Sequence, residues 1–228
     1  MRDEWLGVIG AHGRLGSRVV AEAGRRGVPV VLAATSSSWE HENAPSVVVD
    51  ASRASALHQV AEFCAESKAA LVSCVSGLDS AGDATLRELA EIVPVVRAVN
   101  LSLGHWVQAH LLQRAAQLVR AMPEKPGAAV LERHTTAKRD RPSATAKALA
   151  AMWGDVTEIA SYRSGLPVSE HRVDLTFTGE SLSLHHDVRD LGAAVHGVFV
   201  AVEWARSATT GFVTIRELFD QAFIQENR

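Results

Sequence analysis

The chain has 228 residues, 47% of them hydrophobic and 21% charged, with a formal net charge of −3. This composition belongs to a folded globular protein of one large or two small domains and excludes a disordered chain, while the scattered Lys and Arg residues exclude a nucleic-acid footprint. No run approaches the roughly 20 apolar residues of a membrane span, the opening MRDEWLGVIG carries acids where a secretory leader has a basic start, and the two cysteines, Cys64 and Cys74, lack CxxC spacing, all of which points to the reducing cytoplasm.

Through residues 1–100 short apolar runs alternate with amphipathic ones. Trp5 to Ile9 is predicted as a strand, Leu15 to Arg26 as a helix, Val28 to Ala33 and Ser46 to Asp50 as strands, and Ala54 to Glu66 as a helix. The strand AALVSCV (Ala69 to Val75), a helix around Ala84 to Ile92 and the strand VPVVRAV (Val93 to Val99) follow. β-Branched strands separated by helices imply a parallel sheet covered on both faces.

After Asn100 the rhythm changes. Gly104 to Met122 is one long helical pattern, and an apolar run ending in VLERH leads to a helix opened by Pro142, Ser143, Ala144 and Thr145 that runs to Trp153. Thr157 to Arg163, His171 to Phe177 and Ser181 to Val188 read as an antiparallel meander, with Thr178 and Gly179 turning between the last two. Helices over Gly192 to Arg206 and Thr214 to Phe223 close the chain. The expected fold class is α/β: an N-terminal Rossmann-like dinucleotide-binding domain and a C-terminal α+β domain carrying a mixed or antiparallel sheet.

VIGAHGRLG sets Gly10, Gly13 and Gly16 directly after the first strand and at the start of the first helix. Such a loop lets the backbone approach a pyrophosphate, whose charge then sits at the positive end of the helix. His12, Arg14 and Leu15 belong to the same loop and become candidate contacts. Where an NAD site places a carboxylate for the ribose 2′-hydroxyl, this chain has Thr35, Ser36 and Ser37. Hydroxyls there remove the repulsion against a 2′-phosphate and, with Arg14, tilt the expectation to NADPH, leaving NADH open.

LERHTTAKRDRPSATAKAL (Leu131 to Leu149) is the densest stretch of chemistry. Glu132 and His134 share one face at the rim of a strand, Lys138 follows four residues later, and Ser143 or Thr145 caps a helix whose first N–H groups suit a carboxylate. A cation, an imidazole and a helix N-terminus together would bind a carboxylated substrate. A solvated charged loop is the competing interpretation.

This stretch resembles the dihydrodipicolinate reductase family, whose signature reads approximately E-x-H-H-x-x-K-x-D-A-P-S-G-T-A. Glu132, His134, Lys138, Asp140, Pro142, Ser143, Thr145 and Ala146 match at the same spacing. GAHGRLG is similar to the family's glycine loop, AVNLSLG (Ala98 to Gly104) to its hinge, and YRSGLPVSEHRV (Tyr162 to Val173), GESLSLHH and the tail WARSATTGFVTIRELF to later segments in the same order. The resemblance implies NAD(P)H-dependent reduction of a conjugated or cyclic imine. Hydride would come from a nicotinamide held by residues 1–104, completed by 205–228, and pass to a substrate held by residues 105–204. It implies His134 and Lys138 as catalytic residues, Thr135, Ser143, Ala144 and Thr145 as substrate contacts, and Cys74, Val75, Ser76, Asn100 and Leu101 beside the nicotinamide. It also implies a homotetramer built through Thr157 to Val188.

The departures matter as much. The family's second histidine is Thr135 here, its Ser-Gly-Thr turn is Ser143-Ala144-Thr145, its G-T-T-G loop is Cys74 to Gly77, and its hinge phenylalanine is Leu101. Both ligand pockets are altered within a kept frame, so the expected substrate is a specialised carboxylated imine. Two alternatives stay open: the lysine-pathway reduction itself, and a non-redox cyclase or isomerase on the same fold. His105, at a helix start, could reach the active site or lie on the surface, and Glu170 with His171 fits a structural role better than a catalytic one. His185 and His186 point to opposite faces of a strand and cannot share an ion, so no metal is expected.

Overall fold

The computed structural model describes residues 4–35, 38–39, 43–165 and 169–225. They form two compact units, one of Met1–Leu101 with Gly192–Arg228 and one of Ser102–Leu191. Among the described residues no helix is long and apolar enough to cross a membrane.

The first unit is built on six parallel strands: β1 (Leu6–Ile9), β2 (Val30–Ala34), β3 (Val47–Asp50), β4 (Ala70–Ser73), β5 (Pro94–Arg97) and β10 (Gly211–Thr214), ordered β10-β5-β4-β3-β1-β2. β3 and β4 are buried at every residue, as strands covered on both faces must be. On one face Val48, Leu71 and Val95 pack with Leu57, Val60, Ala61 and Cys64 of α2 (Leu57–Ser67) and Leu86 and Leu89 of α3 (Ser80–Leu89). The other face lies under α1 (Gly16–Arg25) and α6 (Gly192–Ser207).

Two readings change here. α6, expected in the second domain up to residue 204, packs on β3, β4 and β5 through a face that includes Val195, Val198, Phe199 and Val202. Gly197 lets it close: a Cβ there would stand 2.3 Å from the Leu101 carbonyl oxygen. β10, not foreseen, is four residues long and starts at Gly211 with φ +116. It exists through its pairing with β5, before the short α7 (Ile215–Asp220), whose capping box joins Thr214 and Glu217.

The second unit is a four-stranded sheet with two helices on one face. Its strands are β6 (Gly127–Thr135), β7 (Glu158–Ser164), β8 (Ser169–Phe177) and β9 (Glu180–Val188), in the order β7-β6-β8-β9. The predicted meander is thus half right: β8 and β9 form the hairpin, whereas β7 pairs parallel to β6 and never meets β8. The reason is the intervening α5 (Ala144–Trp153), which carries the chain back to the start of β6 and makes a βαβ crossover. Leu112 of α4 (Leu103–Val119) and Ala146 and Leu149 of α5 close the core over Ala128, Val130, Val173 and Leu175.

Candidate active site

β6 sends alternate side chains to opposite faces. Ala128 and Val130 enter the core beneath the helices; Glu132 and His134 follow on the same face, 0% and 7% exposed. Register supplies their neighbours: Glu132 stands between His171 of β8 and Ser161 of β7, and His134 is paired with Arg163 of β7. A slip of one residue would turn every one of these groups to the opposite face.

The Glu132 carboxylate joins three chain segments. Its Oε1 accepts from Ser161 Oγ at 2.7 Å and from Arg163 Nη2 at 2.9 Å, and its Oε2 accepts from the Ser143 N–H at 3.1 Å. Burial by itself would raise its pKa, but the hydrogen bonds from Ser143, Ser161 and Arg163 outweigh burial and hold it at about 2. Arg163, itself nearly buried, also donates to the carbonyls of Lys138 and Asp140, so it fixes the loop that follows β6.

His134 Nε2 lies 3.2 Å from Glu132 Oε2 without a hydrogen bond being made. Burial pushes the His134 pKa below its ordinary value; Glu132 opposes this, and Lys138 and Arg163 add to it. The His171 ring is 5.0 Å from that of His134, and burial followed by the His134 and His105 imidazoles holds it at about 3. His105 lies in the first turn of α4, with its ring 6.3 Å from His171 and 6.2 Å from His186, so it borders this cluster. His185 and His186 diverge as expected, to Glu170 and to Ser102.

The remaining predicted residues divide by exposure. Ser143 is the N-cap of α5, but it is 1% exposed: its Oγ accepts from the Ala146 N–H at 3.2 Å and meets His171 Nε2 at 3.3 Å. Capping and His171 already engage this hydroxyl. Ala144 is exposed at the first position of the helix, and Thr135 and Thr145 are half-buried. Lys138 pairs with Asp140 at 2.8 Å and remains one-third exposed. Arg133, on the opposite face of β6, pairs with Glu170 at 2.7 Å.

In the first unit Gly10 has φ +75, and a Cβ added there would stand 2.8 Å from the Ala51 carbonyl oxygen. A Cβ on Gly16 would stand 2.1 Å from the Gly10 carbonyl oxygen, so the turn closes only with glycine there. The Gly13 N–H donates to that same carbonyl at 2.8 Å. His12, Gly13 and Arg14 are exposed on the loop, Leu15 is half-buried, and α1 begins there with no side-chain cap. Beside the loop runs a groove of about 320 Å³ lined by Gly10, Gly13, Thr35, Trp39, Ser52 and Arg53, among others. Such a backbone cradle fits a dinucleotide.

Arg53 was missed in the sequence. It follows β3 rather than β2, and only the pairing of β1 with both strands brings it to the loop. Ser36 and Ser37 lie outside the described residues. Ser76 and Asn100 are exposed, Asn100 at φ +62; Cys74 is half-buried. Val75 and Leu101 are buried, at 3% and 6%. Burial, reinforced by Asp50, pushes the Cys64 and Cys74 thiols up. Among the described residues, the one group of donors close enough to hold a metal ion is Glu132, His134 and His171.

Comparison with known proteins matches residues 104–219 to the family model for the dihydrodipicolinate reductase C-terminus and residues 21–101 to that for its N-terminus. The N-terminal match begins after the glycine loop. The 4-hydroxy-tetrahydrodipicolinate reductase of Xanthomonas euvesicatoria pv. vesicatoria is 33% identical over 224 residues, covering 95% of this chain and 88% of the relative. That of Thermosipho africanus is 26% identical over 219 residues, covering 96% and 99%. Among solved structures, the dipicolinate-bound dihydrodipicolinate reductase from Paenisporosarcina sp. TG-14 shares the fold, with a TM-score of 0.71 at 17% identity over 92% of this chain and 97% of that one.

Proposed function

The chain belongs to the dihydrodipicolinate reductase family and is an NAD(P)H-dependent oxidoreductase acting on a C=N or conjugated C=C bond; we propose that its substrate is a carboxylated cyclic or conjugated imine other than the dihydrodipicolinate of lysine biosynthesis. The observation that carries the reading is the buried Glu132 carboxylate, which accepts from the Ser143 N–H at the cap of α5 and stands 3.2 Å from His134 Nε2.

A bound dinucleotide supplies a hydride. The rest falls to side chains of the second unit. His134 is the proton donor, and an acid placed this way is worth about 10² to 10⁴ in rate. Burial favours its neutral form; an anionic substrate beside it draws a proton onto the ring. Lys138, exchanging Asp140 for the substrate, neutralises a carboxylate, and the exposed Ala144 N–H, with Thr145, orients it. Ser143 and His171 act beneath, as support.

Thr135 and Ala144, at positions where the family has histidine and glycine, support a specialised substrate. A second reading, the lysine-pathway reduction itself, is supported by relatives of that name spanning 95% of the chain. For the cofactor we infer NADPH, on the hydroxyl of Thr35 and the Arg53 guanidinium beside the glycine loop, with NADH as the weaker ligand. For the assembly we infer a homotetramer acting in the cytoplasm, which the exposed Tyr162 on the sheet face away from the helices supports.

Fluorescence titration with NADPH and NADH, followed by turnover of dihydrodipicolinate against a panel of carboxylated cyclic imines, tests the proposal. Binding of neither dinucleotide overturns the redox reading in favour of a cyclase or isomerase. Efficient turnover of dihydrodipicolinate alone makes the second reading correct.

A further inference from the structure

We propose that Glu132, His134 and His171 form a binding site for one divalent transition-metal ion of the zinc class, with a water molecule as its fourth ligand. Their donor atoms lie within 4.8 Å of one another, and all three residues are buried. Glu132 Oε2 is 3.2 Å from His134 Nε2 and 3.9 Å from His171 Nε2. Two donors each about 2.0–2.2 Å from a tetrahedral ion stand roughly 3.3–3.5 Å apart, so the first edge fits, the second must close by a few tenths of an ångström, and the two imidazoles, within 4.8 Å of each other, turn toward the ion to complete the third. The His134 side chain is 9% exposed, and its Nε2 has no hydrogen-bond partner among the described residues.

The carboxylate can serve both the frame and an ion. Oε1 holds Ser161 and Arg163, whereas Oε2 accepts only the Ser143 N–H among the hydrogen bonds described. His171 releases the Ser143 hydroxyl on binding, and that hydroxyl keeps its bond to the Ala146 N–H. Two imidazoles and one carboxylate suit zinc, cobalt or nickel, while magnesium and calcium prefer all-oxygen shells. Arg163 draws on the same carboxylate and so weakens the site. An ion here takes the His134 lone pair out of proton transfer and inhibits turnover; that consequence rests on the reductase reading, whereas the binding does not.

Titration of the chelator-stripped full chain with Co²⁺ tests the site. One equivalent giving the intense visible absorption of four-coordinate cobalt, displaced by Zn²⁺, is expected. His171→Asn should weaken it by more than the roughly 10- to 100-fold that an outer-shell partner is worth. A six-coordinate spectrum only, or an affinity unmoved by His171→Asn in protein of native circular dichroism, overturns the proposal. Should that variant not fold, X-ray absorption of the zinc-loaded wild-type chain decides: two imidazoles in the first shell support the site, one or none overturns it. Turnover is read separately: if no imine is reduced, the reductase reading fails while the cobalt result stands, and bound zinc that leaves turnover intact overturns the inhibition.

Discussion

Glu132→Gln tests the centre of the site. The substitution keeps the shape but removes the charge that holds Arg163, a cation only 6% exposed, and offers an N–H where an acceptor was needed. Breaking a buried pair on one side costs about 3–5 kcal/mol. Arg163 keeps the carbonyls of Lys138, Tyr162 and Asp140, which sets the value at the lower end. Holding a carboxyl at about 2 against an ordinary 4.5 gives a similar figure, about 3 kcal/mol. For a chain of this length each kcal/mol moves Tm by about 2–4 °C, so the variant should melt roughly 6–12 °C lower at pH 7. The folded pKa lies below the unfolded one. The stabilisation is therefore complete above about 4.5 and fades as pH falls toward about 2, and the gap between variant and wild type should narrow across that window. Calorimetric melts of metal-free protein at stepped pH read both effects. A gap under about 2 °C at pH 7, or one that stays constant on acidification, would refute the reasoning.

His134→Ala should lower kcat by about 10² to 10⁴ and leave the dinucleotide Kd within about twofold, since the two groups belong to different units; steady-state kinetics with a fluorescence titration checks it. Gly16→Ala should abolish dinucleotide binding or folding of the loop, because its Cβ would stand 2.1 Å from the Gly10 carbonyl oxygen. Arg53→Ala should weaken NADPH by about tenfold, the scale of one exposed charge-assisted hydrogen bond, and leave NADH nearly unchanged; equal losses for both would remove Arg53 from 2′-phosphate recognition. Alkylation of Cys64 and Cys74 at pH 8 should be far slower than that of a free thiol, since burial raises both pKa values.

Most strands and helices were legible because burial on both faces writes itself as continuous valine and leucine, as in β3 and β4. β10 and the place of β7 were not, because pairing between distant strands leaves no local trace in either segment. The same division holds in the site. Glu132, His134 and the cap at Ser143 lie within one short stretch and announce themselves by spacing. Ser161, Arg163 and His171 become partners of Glu132 only through the register of β7 and β8 against β6. Arg53 was hidden for a similar reason: a cation for the groove was sought after β2, and this one follows β3.

The bonds around Glu132 run inward, to Ser161, Arg163 and Ser143, while Thr135 and Ala144 contribute no side-chain bond to that frame. Selection can therefore act on the two groups separately. Exchanging Thr135 or Ala144 breaks none of these bonds, whereas a change at Glu132 must be matched on β7 and at the cap of α5 at once. Single changes at those two positions therefore leave the frame around Glu132 intact. The fold thus divides heritable change into a conservative compartment and an exploratory one.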